Sequence, residues 1–291
     1  MKKRGYFFAL ILMTLLMGSC ASDRGRDSGE VMNGGTAGEA MDHATTREAM
    51  DDATAGEAMH DATTLEAMDD ATTREAITPG TPVSDVDGNS YQTVIIGEQE
   101  WMAQNLKTTT YRNGEPIEYP GEGKAAWRDN TSGAYAWYDN NPANKETYGG
   151  LYNWYAVTSP NGLCPEGWRM PDEEDWLYLT DFVGDEMGNK LKSRRQVGSP
   201  FGGEYDTTEH PRWETFTANY GLDEVGFGAL PGGNRHASGS FVTKGANALF
   251  WSASEISEEA GFGWFIYHGY YGVDRGYGDK GAGFSVRCIR D

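Results

Sequence analysis

The chain changes its hydrophobic rhythm several times. Tyr6–Met17 is apolar almost without interruption. Residues 36–78 then carry one large apolar side chain in nine. From Val83 the pattern shortens towards two: Tyr91-Gln-Thr-Val-Ile-Ile96 is a β-branched run, Gly97 breaks it, and Trp101-Met102 resumes it. With Asp87-Gly88-Asn89 as a turn, this predicts a β-hairpin between Val83 and Asn105. After Pro171 the period lengthens. Trp176, Leu179 and Phe182-Val183 recur at helical spacing, predicting a helix over Asp172–Val183. Asp172 is a suitable N-cap, with Asp175 three residues on, and the carboxylates of residues 172–175 sit where the helix dipole favours negative charge. Gly167-Trp-Arg-Met170, just before, reads as a short strand. Gly188–Arg195 adds a shorter basic turn, and residues 196–225 read as irregular. From Gly226 to Arg290 short apolar runs alternate with glycines, which predicts strands around Leu249–Glu255, Gly263–Tyr267 and Gly283–Arg290. The expected class is α+β, with short twisted strands, one or two helices and long irregular loops.

The first rhythm is an address rather than structure. Lys2, Lys3 and Arg4 precede the apolar run, which is too short to span a bilayer. Leu16-Met17-Gly18-Ser19-Cys20 resembles a lipobox, which implies cleavage before Cys20 and lipidation of its thiol, with the lipid anchor as the membrane partner. Residues 1–20 are thus expected to be a lipoprotein signal peptide. Ser22-Asp23 and the acidic residues beyond resemble an export tag of surface lipoproteins, so the expected location is the cell envelope, as an outer-membrane lipoprotein exposed at the surface.

The second rhythm is a repeat. Glu39, Glu48, Glu57, Glu66 and Glu75 recur every nine residues, as do Met41, Met50, Met59 and Met68. Nine residues make two and a half helical turns, so successive methionines fall on opposite helix faces and no continuous stripe forms. Without aromatic residues the repeat buries too little surface to offset its ordering entropy. Residues 21–82 are therefore expected to be an acidic, disordered linker, and residues 83–291 the globular domain.

Charge narrows the partners. The net charge is -20. Residues 21–80 hold fourteen acidic and four basic side chains, and residues 81–291 hold thirty and seventeen. Such a balance excludes nucleic acid as a partner. Of three cysteines, Cys20 belongs to the leader, leaving Cys164 and Cys288 as an even pair in an exported protein, so a disulfide between them is expected.

Several segments together resemble one family: Asp87-Gly-Asn-x-Tyr91, Trp101-Met-Ala-Gln-Asn-Leu106, Gly150-Leu-Tyr-Asn-Trp154, Cys164-Pro-x-Gly-Trp-Arg-Met-Pro171, Phe227-x-Ala-Leu-Pro-Gly-Gly233, Phe250-Trp-Ser-Ala-Ser254 and Gly283-Phe-Ser-Val-Arg-Cys-Ile-Arg290. The chain resembles the Fibrobacter succinogenes major paralogous domain over residues 83–291. Trp-Arg-Met-Pro-x-Glu-Glu-x-Trp and the closing segment also resemble formylglycine-generating-enzyme and C-type-lectin-like domains. That resemblance implies a compact fold whose termini meet, with Cys164 tied to the last strand.

Chemistry is sparse. The resemblance to formylglycine-generating enzymes implies a closely spaced cysteine pair in one loop, which this chain lacks. Asp85 and Asp87 suggest calcium, but the glycine is misplaced for an EF-hand loop and its twelfth position is Ile96. Glu115-Pro-Ile117 lacks the amide of a calcium-lectin triplet. His210, His236 and His268 sit in no catalytic frame, and Glu173, Glu174 and Asp175 are explained by a helix start. No catalytic residue, metal or cofactor is expected. Aromatic, glycine-rich loops remain, and Trp264, Tyr267, Tyr270, Tyr271 and Tyr277 are the candidate ligand contacts. The expected function is non-enzymatic binding of polysaccharide or another envelope component. The alternatives are an enzyme of the formylglycine-generating type and a purely structural envelope protein.

Overall fold

The computed structural model describes residues 77–195 and 212–291. The leader with Cys20, nearly all of the repeat linker, and His210 lie outside the described residues.

The chain opens with β1 (Thr78–Pro79), then two hairpins: β2 (Val83–Ser84) with β3 (Ser90–Tyr91), and β4 (Thr93–Ile96) with β5 (Gln99–Met102). The single expected hairpin is thus two. Asp85 closes the first turn: its carboxylate accepts from the amides of Asp87 and Asn89 and from the Tyr91 hydroxyl at 2.6 Å. Gly97, at φ 61°, makes the second turn. The sheet also takes in Thr78–Pro79, inside the stretch read as linker.

The stretch between β5 and residue 168 is not all loop. It holds three one-turn helices, α1 (Lys124–Arg128), α2 (Asn144–Tyr148) and α3 (Trp154–Val157), and the paired strands β6 (Tyr135–Ala136) and β7 (Leu151–Tyr152). β8 (Trp168–Arg169) and α4 (Glu173–Val183) follow. α4 begins with the expected capping box: the Asp172 carboxylate accepts from the Asp175 amide at 3.0 Å, and Asp175 accepts from the Asp172 amide at 2.8 Å. α5 (Met187–Leu191) replaces the expected basic turn. Beyond it come β9 (Asn234–Arg235), β10 (Phe241–Val242), β11 (Asn247–Glu255), β12 (Ala260–Tyr267), β13 (Asp274–Asp279) and β14 (Ile289–Arg290).

Five strands form one antiparallel sheet in the order β1-β4-β5-β14-β8. The last strand is therefore an inner one, with Ile289 between Trp101 and Arg169. β11-β12-β13 form an antiparallel meander. The class is α+β, dominated by small antiparallel sheets.

Strand alternation separates two cores. Ala248 and Phe250 enter one core with Trp101, Trp176, Leu179, Phe227 and Ile289. Leu249 and Trp251 enter the other with Met102, Tyr152, Trp168, Phe284 and Cys288. In the first core Trp176 is central, 4.9 Å from Trp101 and stacked 5.7 Å from Trp264. In the second, Cys164 and Cys288 form a disulfide with Cα atoms 5.9 Å apart.

Candidate functional site

The expected aromatic contacts divide into three groups. Trp264 is 3 % exposed and packs against Trp176, so it is a core residue rather than a surface platform. Its place follows from strand parity: Trp264 and Ile266 share the face of β12 that turns into the core. Tyr277 pairs with Phe262 across β12 and β13 and so shares the Trp264 face, near its edge, with 70 % of its surface exposed. Tyr267 lies on the opposite face, since it is odd-numbered on the same strand. Tyr267, Tyr270 and Tyr271 are the three the fold keeps together, at the end of β12 and in the turn to β13.

That turn is built on α5. Gly188 approaches so closely that a β-carbon there would lie 2.1 Å from the Gly272 carbonyl oxygen. The Asn189 amide donates to the Tyr271 carbonyl at 3.2 Å, and the Lys192 ammonium donates to the Tyr270 carbonyl at 2.7 Å. Lys192 is buried, its Nζ 5.6 Å from the centre of the Trp213 ring, and burial pushes its pKa down to about 8. With the backbone held from below, Tyr270 and Tyr271 point outward, 38 % and 54 % exposed, their rings 5.1 Å apart. Asp274 stands beside them. Burial raises its carboxyl pKa, and burial followed by the Asp274 charge raises the Tyr267 and Tyr270 phenols. The result is a tilted pair of rings beside one carboxylate, suited to stacking on a flat face and accepting a hydroxyl.

The charged residues that invited a catalytic reading are engaged elsewhere. Asp175 accepts from both terminal nitrogens of Arg169, one at 2.8 Å; burial pushes its carboxyl up, but the Arg169 guanidinium and the Asp172 amide outweigh this and hold it below the usual range. Glu173 pairs with Arg275. Asp87 accepts from the Thr109 amide and hydroxyl. Burial pushes its carboxyl up too, and these bonds bring it below the usual range. The His236 ring lies 2.9 Å from the Ser238 hydroxyl. Among the described residues, no cluster of three histidines, cysteines or carboxylates is placed to hold a metal.

A second polar surface escaped the sequence reading. A cleft of 270 Å³ is lined by Glu122, Lys124, Asp139, Asn140, Ser240 and Phe241, among others. Its residues come from three separate loops, so no local motif marks it. One signal was present: Asp139-Asn140-Asn141-Pro142 is a turn-forming run. Asp139 and Asn140 both have positive φ, 56° and 52°, and the Asn141 amide donates to the Tyr138 carbonyl at 3.1 Å across them. This resembles a type I′ turn, for which Asp and Asn are favoured residues.

The sequence segments that mark the chain meet at one place. Arg287, fully buried, donates to the Asn105 side chain at 2.7 Å and to the carbonyls of Met102 and Phe227 at 3.0 and 2.6 Å. The Met102 amide donates to the Cys288 carbonyl, and the Trp251 indole to the Tyr152 carbonyl. Trp101–Leu106, Gly150–Trp154, Phe227–Gly233, Phe250–Ser254 and Gly283–Arg290 are thus parts of one interlocked centre. No curated protein and no solved structure matches the chain. A family model described as the Fibrobacter succinogenes major domain matches residues 94–290, and the chain belongs to that family.

Proposed function

We propose that this is a non-enzymatic binding protein of the bacterial envelope, tethered by a lipid on Cys20 and a repeat linker, whose folded domain recognises polysaccharide. The observation that carries this reading is the Tyr270–Tyr271 pair, exposed at a turn whose backbone is fixed by Lys192 and Asn189. A rigid aromatic pair contributes contact area at little further cost in side-chain freedom. Asp274 supplies a hydroxyl acceptor next to it.

We also read the fold as C-type-lectin-like. Support comes from the early strands β4 and β5 sharing a sheet with β14, from the disulfide between Cys164 and Cys288, and from the long loops gathered between short strands. The enzyme reading needs a free reactive thiol; the Cys164–Cys288 bond favours binding over it.

The test is binding of the purified chain to soluble and insoluble polysaccharides, with and without EDTA. Saturable binding that survives EDTA and is lost on joint Tyr270→Ala and Tyr271→Ala substitution supports the proposal. Absence of binding across glycans and envelope extracts would sink it.

A further inference from the structure

We infer that the cleft between Asn140 and Phe241 is a second, separate binding site, and that it takes a single uncharged pyranose ring. The case starts from how the cleft is built. Its walls are three segments distant in sequence, at residues 122–124, 139–140 and 239–241. One side chain ties them together. Arg235, fully buried, donates to the Gly239 carbonyl and the Gly121 carbonyl, each at 3.3 Å, and reaches the Asn140 side-chain oxygen at 3.5 Å. Its guanidinium lies 4.3 Å from the Trp127 ring centre and 4.8 Å from that of Phe241. A cation buried among aromatic rings, with only long hydrogen bonds, is a costly way to join loops. It fixes the shape of the cleft in return.

The lining then defines the ligand. Glu122, Asp139 and the Asn140 oxygen are acceptors, Ser240 both donates and accepts, and Lys124 donates. A mixed set of acceptors and donors around a small space matches vicinal hydroxyls. The aromatic side chain in the lining is Phe241, its ring 5.3 Å from that of Tyr138. Tyr119 lies outside the lining, its hydroxyl 3.5 Å from the Asn140 oxygen. A sugar ring in the cleft can therefore set an apolar face against Phe241 while its hydroxyls meet Asp139 and Asn140. The 270 Å³ volume falls below the roughly 300–1,000 Å³ of pockets that bury drug-sized ligands, so one ring fits rather than a chain. Charge sets the last limit. Two carboxylates against one ammonium at the rim, in a chain of net charge -20, disfavour a uronate.

The placement of Asp139 and Asn140 fits this role. Both are held at positive φ, a conformation that the turn itself could obtain more cheaply with glycine. Their side chains are what glycine would lack.

The experiment is ligand-observed saturation-transfer NMR on the purified chain, with methyl glucoside, methyl galactoside, methyl mannoside and glucuronate as probes. The expected result is transfer to at least one neutral glycoside and little or none to glucuronate. Phe241→Ala should weaken it about tenfold, equivalent to about 1.4 kcal/mol. Asn140→Gly should abolish it while keeping the turn, since glycine accepts the same backbone angles, and an unchanged melting temperature shows that the lost Arg235 contact has not opened the loops. The probes are also run on the joint Tyr270→Ala and Tyr271→Ala variant, which removes the proposed polysaccharide surface; transfer that remains there and is lost on Asn140→Gly belongs to the cleft. Transfer to none of the neutral glycosides overturns the inference. So does transfer to glucuronate of equal strength, or transfer that survives both cleft substitutions in the Tyr270→Ala and Tyr271→Ala background. Loss of polysaccharide binding in Tyr271→Ala with glycoside transfer to the cleft intact separates the two sites; failure of polysaccharide binding alone overturns the proposed function and leaves this inference standing.

Discussion

The buried Lys192 ammonium donates to the carbonyl of Tyr270 at 2.7 Å, joining the helix α5 region to the exposed aromatic turn. Its lowered pKa has a definite sign. The unfolded chain binds the proton more tightly, so stability attributable to this group rises with pH between about 8 and the ordinary lysine value of 10.5, and is lost as pH falls through about 8. Lys192→Met removes the donor and leaves the Tyr270 carbonyl unpaired. Amide hydrogen exchange in residues 268–273 should speed up, while exchange in β4 and β5 stays slow.

Gly188 tests the same contact from the other side. Gly188→Ala places a methyl group against the Gly272 and Tyr271 carbonyls, which are backbone and cannot swing away. The turn must shift. Polysaccharide binding should fall with the loss of the Tyr270–Tyr271 arrangement, and the melting temperature should drop by only a few degrees. Binding at wild-type strength would show that the turn does not contact the ligand.

Trp264→Ala makes the opposite prediction. Trp264 is packed beside Trp176 and Phe250 in the first core, so the substitution should cost about 3–5 kcal/mol in denaturant unfolding. Any loss of binding should track the unfolded fraction. Tyr277→Ala, at a residue 70 % exposed, should change stability by less than about 0.5 kcal/mol.

The start of α4 should be sensitive to acid. Asp175 is held below its usual range, so its contribution is present above the unfolded carboxylate value and disappears as pH falls through the folded one. Asp175→Asn should flatten the acid side of the stability curve. Asp172→Ala removes the N-cap acceptor and should cost about 1 kcal/mol by urea unfolding.

The disulfide spans 124 residues of sequence. Chain-entropy reasoning assigns such a loop about 4–5 kcal/mol, with measured values often lower. Joint Cys164→Ser and Cys288→Ser substitution should lower the urea midpoint sharply. Mass spectrometry of the native chain should show Cys164 and Cys288 resistant to alkylation until a reductant is added.

What the sequence made legible was local. The capping box at Asp172, the turn around Asp87 and the strand at Trp168 depend on neighbours within a few residues, and each could be read from them. The short helices were not legible, because α1, α2 and α3 last one turn and leave no periodic stripe. Asn153, which caps α3 by accepting from the Ala156 amide, was the available sign. Trp264 shows the limit more clearly. A strand over Gly263–Tyr267 was legible, but the face that turns inward was not, because burial was decided by Trp176, far away in sequence. The cleft was illegible for the same reason: Arg235 gathers loops that only the folded chain brings together.

The position of β14 has a consequence for how the protein is made. Ile289 is the inner strand of the five-stranded sheet, yet it leaves the ribosome after every strand it joins. Until then, β5 and β8 have no partner between them, and Cys164 has no Cys288. A chain still being synthesised therefore cannot close its central sheet early. On the proposal that the chain is exported, oxidation of Cys164 and Cys288 outside the cytoplasm is what fixes this last strand in place.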